Sequence, residues 1–226
     1  LAQVGARLIS LVLVGIVTRY TGSFGLGRYV VITTVLALST AFTDLGLGTL
    51  IIRDTAAAPT LEEQRELLGR LVPLRMALAS LGAVLLLIMS ALSVPRGASI
   101  GLPAASAGLG LASAAALAGT ALLPRAGFEF LSAFLNGRRR FDVSSSVSVA
   151  ARLVALVAGT LALVRGYGVA GVVVASAAAD AVGIVVYVGI LRAWQALPRL
   201  ELSPAGWKET LATAYPFALT GIIGVA

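Results

Sequence analysis

Residues 71–93 read LVPLRMALASLGAVLLLIMSALS, a stretch carrying one charge, Arg75. An α-helix needs about 20 predominantly apolar residues to cross a bilayer, and this run has that length. Apolar runs of similar character occupy 2–18, 29–52, 104–123, 143–164 and 169–191, and PFALTGIIGVA (216–226) opens another. Of the 226 residues, 58% are hydrophobic and 12% charged, against about 25% charged in soluble domains. A soluble core cannot absorb that surplus, because the surface must still meet water. Strands of a membrane barrel would alternate apolar and polar positions, which these runs do not. The sequence therefore predicts an all-α integral membrane protein with six transmembrane helices over residues 1–207 and a seventh starting in 208–226. Both ends are expected to be cut from a longer chain, since Leu1 already lies in an apolar run and the last segment is too short to span.

The connectors suggest how the chain is threaded. RYTGSFGLGR (19–28) reads as a Gly-rich link between helices one and two, and residues 61–71 as a short amphipathic helix capped by Pro59-Thr60. Pro124 is expected to kink a helix that continues through RAGFEFLSAFLNG, on which Arg125 and Glu129 are spaced to pair. Connectors after spans one, three and five hold four basic residues, and those after two, four and six hold ten, Arg125 and the run Arg138-Arg139-Arg140 among them. The excess of basic residues marks the cytoplasmic side, which puts the even connectors and the N-terminus in the cytoplasm. Trp194 and Trp207 suit a membrane interface. The formal charge of +7 is read as these orientation signals, with the bilayer and not nucleic acid as partner.

Five charges lie well inside the spans: Arg7, Asp44, Arg75, Arg152 and Asp180. Each costs about 2.5–3.5 kcal/mol to insert at mid-helix, so each calls for a reason. Helical spacing puts Arg7 with Gln3 and Ser10, and Asp44 with Ala37, Thr40, Ala41 and Gly48. Arg152 falls with Ser145, Ser148 and Gly159, and Asp180 with Ser176, Ala177, Gly183 and Tyr187. These stripes are small or polar and should face away from lipid. Arg75 has apolar neighbours and is close enough to the interface to snorkel. Two readings stand: Asp44 pairs with Arg7 or Arg152 to hold the bundle together, or the charges line a water-filled cavity for an anionic substrate and a coupling cation.

TGSFGLGRYVVITTVLALSTAFTDLGLGTLIIRD (21–54), FLNGRRRFDVSSS (134–146), GYGVAGVVVASAAAD (166–180) and YPFALTGI (215–222) together resemble the polysaccharide flippases of the multidrug/oligosaccharidyl-lipid/polysaccharide superfamily, in their lipopolysaccharide branch. The resemblance runs the length of the chain in order, though each motif alone is weakly specific. It implies one six-helix lobe of a two-lobe transporter of the multidrug-exporter type. The implied activity is alternating-access translocation of a polyprenyl-pyrophosphate-linked oligosaccharide across a bacterial or archaeal cytoplasmic membrane. On that reading Arg7, Arg152 and Arg75 meet the anionic substrate, Asp44 and Asp180 serve gating or coupling to a proton or Na+, and no cofactor is required.

Two other classes remain in view. A drug or small-cation exporter of the same superfamily would want an acid-dominated cavity. A membrane-embedded polyprenyl-phosphate transferase would want clustered acids for Mg²⁺ or a histidine base. The sequence holds no histidine and no cysteine, and its acids are scattered.

Overall fold

The computed structural model describes residues 2–93, 111–197 and 207. The described residues form six helices, α1 (Ala2–Asp44), α2 (Leu47–Ala57), α3 (Leu61–Ser93), α4 (Leu111–Gly137), α5 (Phe141–Val164) and α6 (Gly168–Ala193), with no strand among them. Among the described residues, four stretches are long and apolar enough to cross a membrane: Arg7–Asp44, Leu61–Leu92, Phe141–Val164 and Gly168–Ala193. The expected starts of the fourth and seventh spans, at 104 and in 208–226, lie outside the described residues.

The first three expected elements are joined differently from the sequence reading. The anticipated connector 19–28 is helical, and the chain turns only at Gly22, whose φ of 68° and ψ of −174° are open to glycine alone. A straight helix of that length would measure about 65 Å, twice the hydrocarbon thickness. The contacts show how the kink resolves this. Leu13 and Val17, before it, pack with Leu163 and Val172, while Ile32, after it, packs with Val169 and Val173. Tyr29 touches both groups. The two arms thus meet near the α5–α6 turn and lie antiparallel on the same side of it, the first beside α5 and the second beside α6.

Helix two was expected to run unbroken over 29–52. It stops at Asp44 instead, because Leu45 (φ 46°) and Gly46 (φ 78°) are both left-handed, and α2 restarts at Leu47. The amphipathic segment 61–71 is not a separate helix but the first turns of α3, which runs on through Pro73. Its expected cap is present, with Thr60 Oγ1 accepting from the Glu63 N–H at 3.3 Å. Likewise α4 continues past Pro124 to Gly137. There Arg139 (φ 58°) turns the chain, with Arg140 N–H donating to Leu135 O at 3.0 Å, and α5 begins.

In lipid, apolar side chains gain nothing by leaving an apolar solvent, so helices associate through close packing of small residues. The centre of the bundle is α4, which buries Ala114, Ala118, Ala121, Leu122 and Ala126 and touches every other helix. Glycines let its neighbours in. A Cβ on Gly119 would stand 3.2 Å from Ala83 O on α3, and one on Gly137 would stand 2.9 Å from Ile52 O on α2. The outer faces keep Val174, Val182, Val185 and Val188 of α6, and Leu153, Val157 and Leu161 of α5, exposed, as a lipid-facing surface requires.

Candidate functional site

At mid-length the second arm of α1, α4, α5 and α6 separate around a cavity of about 540 Å³. One wall is the small-residue stripe Ala37, Thr40, Ala41 and Asp44; another is Ser176, Ala177 and Asp180; Arg125, Glu129 and Arg152 complete the charged lining, with Tyr29 toward one end. Three of the five charges expected inside the membrane, Asp44, Arg152 and Asp180, thus share this cavity, and Arg125 and Glu129 join them.

The pairing differs from the expected one. Asp44 Oδ1 stands 3.6 Å from Arg75 Nη2, not beside Arg7 or Arg152. Arg75 does not snorkel: it is 1% exposed, and its Nη1 donates to Thr43 Oγ1 at 3.4 Å. Its position explains this. The helix starts ten residues before the apolar run, so Arg75 lies more than three turns inside α3, facing the second arm of α1. The other Asp44 oxygen accepts the Gly48 N–H at 3.3 Å. That N–H belongs to the first turn of α2, whose amides lack helical partners, so one carboxylate closes the helix break and anchors the buried guanidinium.

A second network spans α4 and α6. Arg125 Nε bonds Glu129 Oε1 at 2.6 Å, the i,i+4 pair expected from spacing, and Arg125 Nη1 lies 3.6 Å from Asp180 Oδ2. Arg125 therefore belongs inside the bundle and not among the connector charges; without it the basic excess is nine against four, with the same sign. Glu129 and Arg125 were legible as a pair but not as a site, because Pro124 before them reads as the end of a span. The signal was present: the apolar character resumes in AGFEFLSAFL and carries the helix two further turns and more.

Arg152 is half-buried on the cavity wall and makes no ion pair within 4 Å among the described residues. Arg7 is exposed and lies outside the cavity lining. The threonine and serine hydroxyls in the wall are turned to their own helices: Thr33 donates to Tyr29 O, Thr40 to Leu36 O and Ser176 to Val172 O. Back-bonding of this kind satisfies a hydroxyl inside a membrane, and it leaves the oxygen able only to accept. The donors left for an anion in this cavity are its arginines and the Tyr29 hydroxyl. No group of three or more acidic ligands that would hold a metal ion occurs among the described residues.

Long lipid-facing helices packed through small residues around a charged interior define a multi-pass membrane protein of the transporter class. Residues 1–226 match the family model described as polysaccharide biosynthesis protein. The chain belongs to that family, a flippase family of the multidrug/oligosaccharidyl-lipid/polysaccharide superfamily. No curated protein and no solved structure matches it. Its role is thus one of membrane transport in polysaccharide synthesis.

Proposed function

We propose that the protein translocates a polyprenyl-pyrophosphate-linked oligosaccharide from the cytoplasmic to the outer leaflet of a cytoplasmic membrane by alternating access. Residues 1–207 form one six-crossing lobe, with each arm of α1 crossing once and the N-terminus in the cytoplasm; residues 208–226 lead into a second lobe. The observation that carries this reading is Arg152, a guanidinium on the cavity wall that makes no ion pair within 4 Å among the described residues. A diphosphate drawn through a bilayer must exchange its water for cationic donors, and a guanidinium supplies two parallel N–H groups matched to phosphate oxygens. Arg125, held by Glu129 and Asp180, is the reserve cation: it reaches the substrate when its carboxylates release it. Arg7 belongs to the mouth of the path and not to its midpoint, and Arg75 acts through Asp44. The polyprenyl tail stays in lipid while the headgroup crosses.

A second reading is favoured by one observation, the three carboxylates against two arginines in the lining. A cation-coupled exporter of small molecules would use Asp44, Glu129 and Asp180 for a proton or Na+ and for a cationic cargo. The two readings part in cells lacking the gene. Under the flippase reading, Arg152→Ala cuts surface-glycan export at least tenfold while the protein still inserts, the loss of one charge-assisted phosphate contact being about 1.5–3 kcal/mol. Normal glycan export from Arg152→Ala, with drug resistance lost in Asp180→Asn, would favour the exporter.

A further inference from the structure

The α4–α5 turn carries a cation cluster that the transport path does not use. Arg138 and Arg140 both stand on the ring of Trp194, at the end of α6, with guanidinium carbons 5.3 and 5.4 Å from its centroid. Arg138 also lies 5.9 Å from the Phe134 ring. Cations over an indole face gain about 0.5–2 kcal/mol, which fixes the two heads without neutralising them. Among the described residues neither makes an ion pair, and Arg138 Nη1 is enclosed with no hydrogen-bond acceptor. Asp142, in the first turn of α5, pairs with neither. Burial and the adjacent Arg140 charge both push the Arg138 guanidinium below its usual affinity for a proton. The start of α5 is open as well: Arg140 at its N-cap gives no side-chain bond to the free amides, so that end carries partial positive charge.

We propose that Arg138 and Arg140, both held against Trp194, bind the phosphate of an anionic phospholipid headgroup in the leaflet that meets the α4–α5 turn. The partner is a lipid because the site combines unneutralised guanidinium groups with an indole, the side chain that settles at headgroup depth. It is flanked by the outer apolar faces of α5 and α6, with Phe141 at the start of α5 58% exposed and Leu197, past the end of α6, 41% exposed. A phosphodiester accepts from two guanidinium forks at once, and its acyl chains lie along those faces. The site is separate from the cavity and does not depend on what is transported.

The test uses the full-length protein in a neutral detergent, titrated with phosphatidylglycerol, phosphatidylcholine, inorganic phosphate or polyprenyl diphosphate, with thermal stability and tryptophan emission as readouts. Saturable stabilisation by phosphatidylglycerol and none by phosphatidylcholine is expected. One arginine near a charged surface is worth about a fivefold change in affinity, so Arg138→Gln/Arg140→Gln should weaken binding roughly 30-fold. Arg138→Lys/Arg140→Lys should keep most of it, and Arg165→Gln, in the opposite turn, should change nothing. If the glutamine pair does not fold, brominated phosphatidylglycerol decides on the native sequence: it should quench emission more than brominated phosphatidylcholine does, and Trp194→Phe should remove the difference. Equal quenching, unchanged affinity in the glutamine pair, or saturation by inorganic phosphate or polyprenyl diphosphate without any by phosphatidylglycerol would each overturn the assignment.

Discussion

Asp44 and Arg75 are unequal partners. Arg75 is 1% exposed, whereas the Asp44 side chain keeps 32% of its surface open and a second partner in the Gly48 amide. Removing the acid strands a buried cation, which costs about 3–5 kcal/mol, while removing the cation leaves an acid that the cavity still hydrates. Asp44→Ala should therefore lower thermal stability in detergent more than Arg75→Met does. The double variant should lose less than the two single losses combined. Equal and additive losses would show that the 3.6 Å contact is not a working pair. That Asp44, Arg152 and Asp180 would be internal was legible from the small and polar stripes around them, whereas Arg7, expected on such a stripe, is exposed, and Arg75, expected to snorkel, is buried. The partner of each was not, because Arg75 and Asp44 are 31 positions apart and only the packing of α3 on α1 brings them together. Arg125 was hidden for a local reason, the Pro124 that precedes it.

Among the elements, the kink in α1 rests on one backbone conformation. A Cβ at Gly22 would touch nothing within 4 Å, so the obstacle to Gly22→Ala is its φ of 68° alone. Strain of this kind is about 1–3 kcal/mol. Gly15 also has open space but lies in regular helix, so Gly15→Ala should be neutral or slightly stabilising. Gly137→Ala fails for a different reason, since its Cβ would meet Thr55 Cβ at 2.8 Å and Ile52 O at 2.9 Å. We expect it to lose about 1–3 kcal/mol by overpacking and to loosen α2 from α4. Thermal unfolding of the three variants should give Gly15→Ala above or equal to the native protein and the other two below it. Helices were readable here by length and composition. Their joints were not, because a turn made by one glycine leaves the flanking residues helical, and RYTGSFGLGR looks like a loop when it is mostly not one.

For the molecule as a whole, the charge bias predicts a side of the membrane for each turn. The chain has no cysteine, so single cysteines report directly. Arg139→Cys, in the α4–α5 turn, should react with a membrane-impermeant maleimide only after the cells are opened. Tyr167→Cys, at the exposed start of α6, should react in intact cells. The reverse pattern would invert the topology and place the lipid site in the outer leaflet. The broad class was legible because a 58% hydrophobic chain has one solvent open to it, and the motifs in order pointed to the family. The cavity was less legible, because its charges come from four helices and only the fold assigns their neighbours. The most direct test is translocation itself, in vesicles that hold the purified full-length protein and a fluorescent polyprenyl-diphosphate oligosaccharide, read by quenching of the lipid exposed outside. The native protein should move the lipid between leaflets, and Arg152→Gln should slow that movement tenfold or more with reconstitution unchanged. Equal rates in protein-free vesicles, or in the Arg152→Gln protein, would contradict the account.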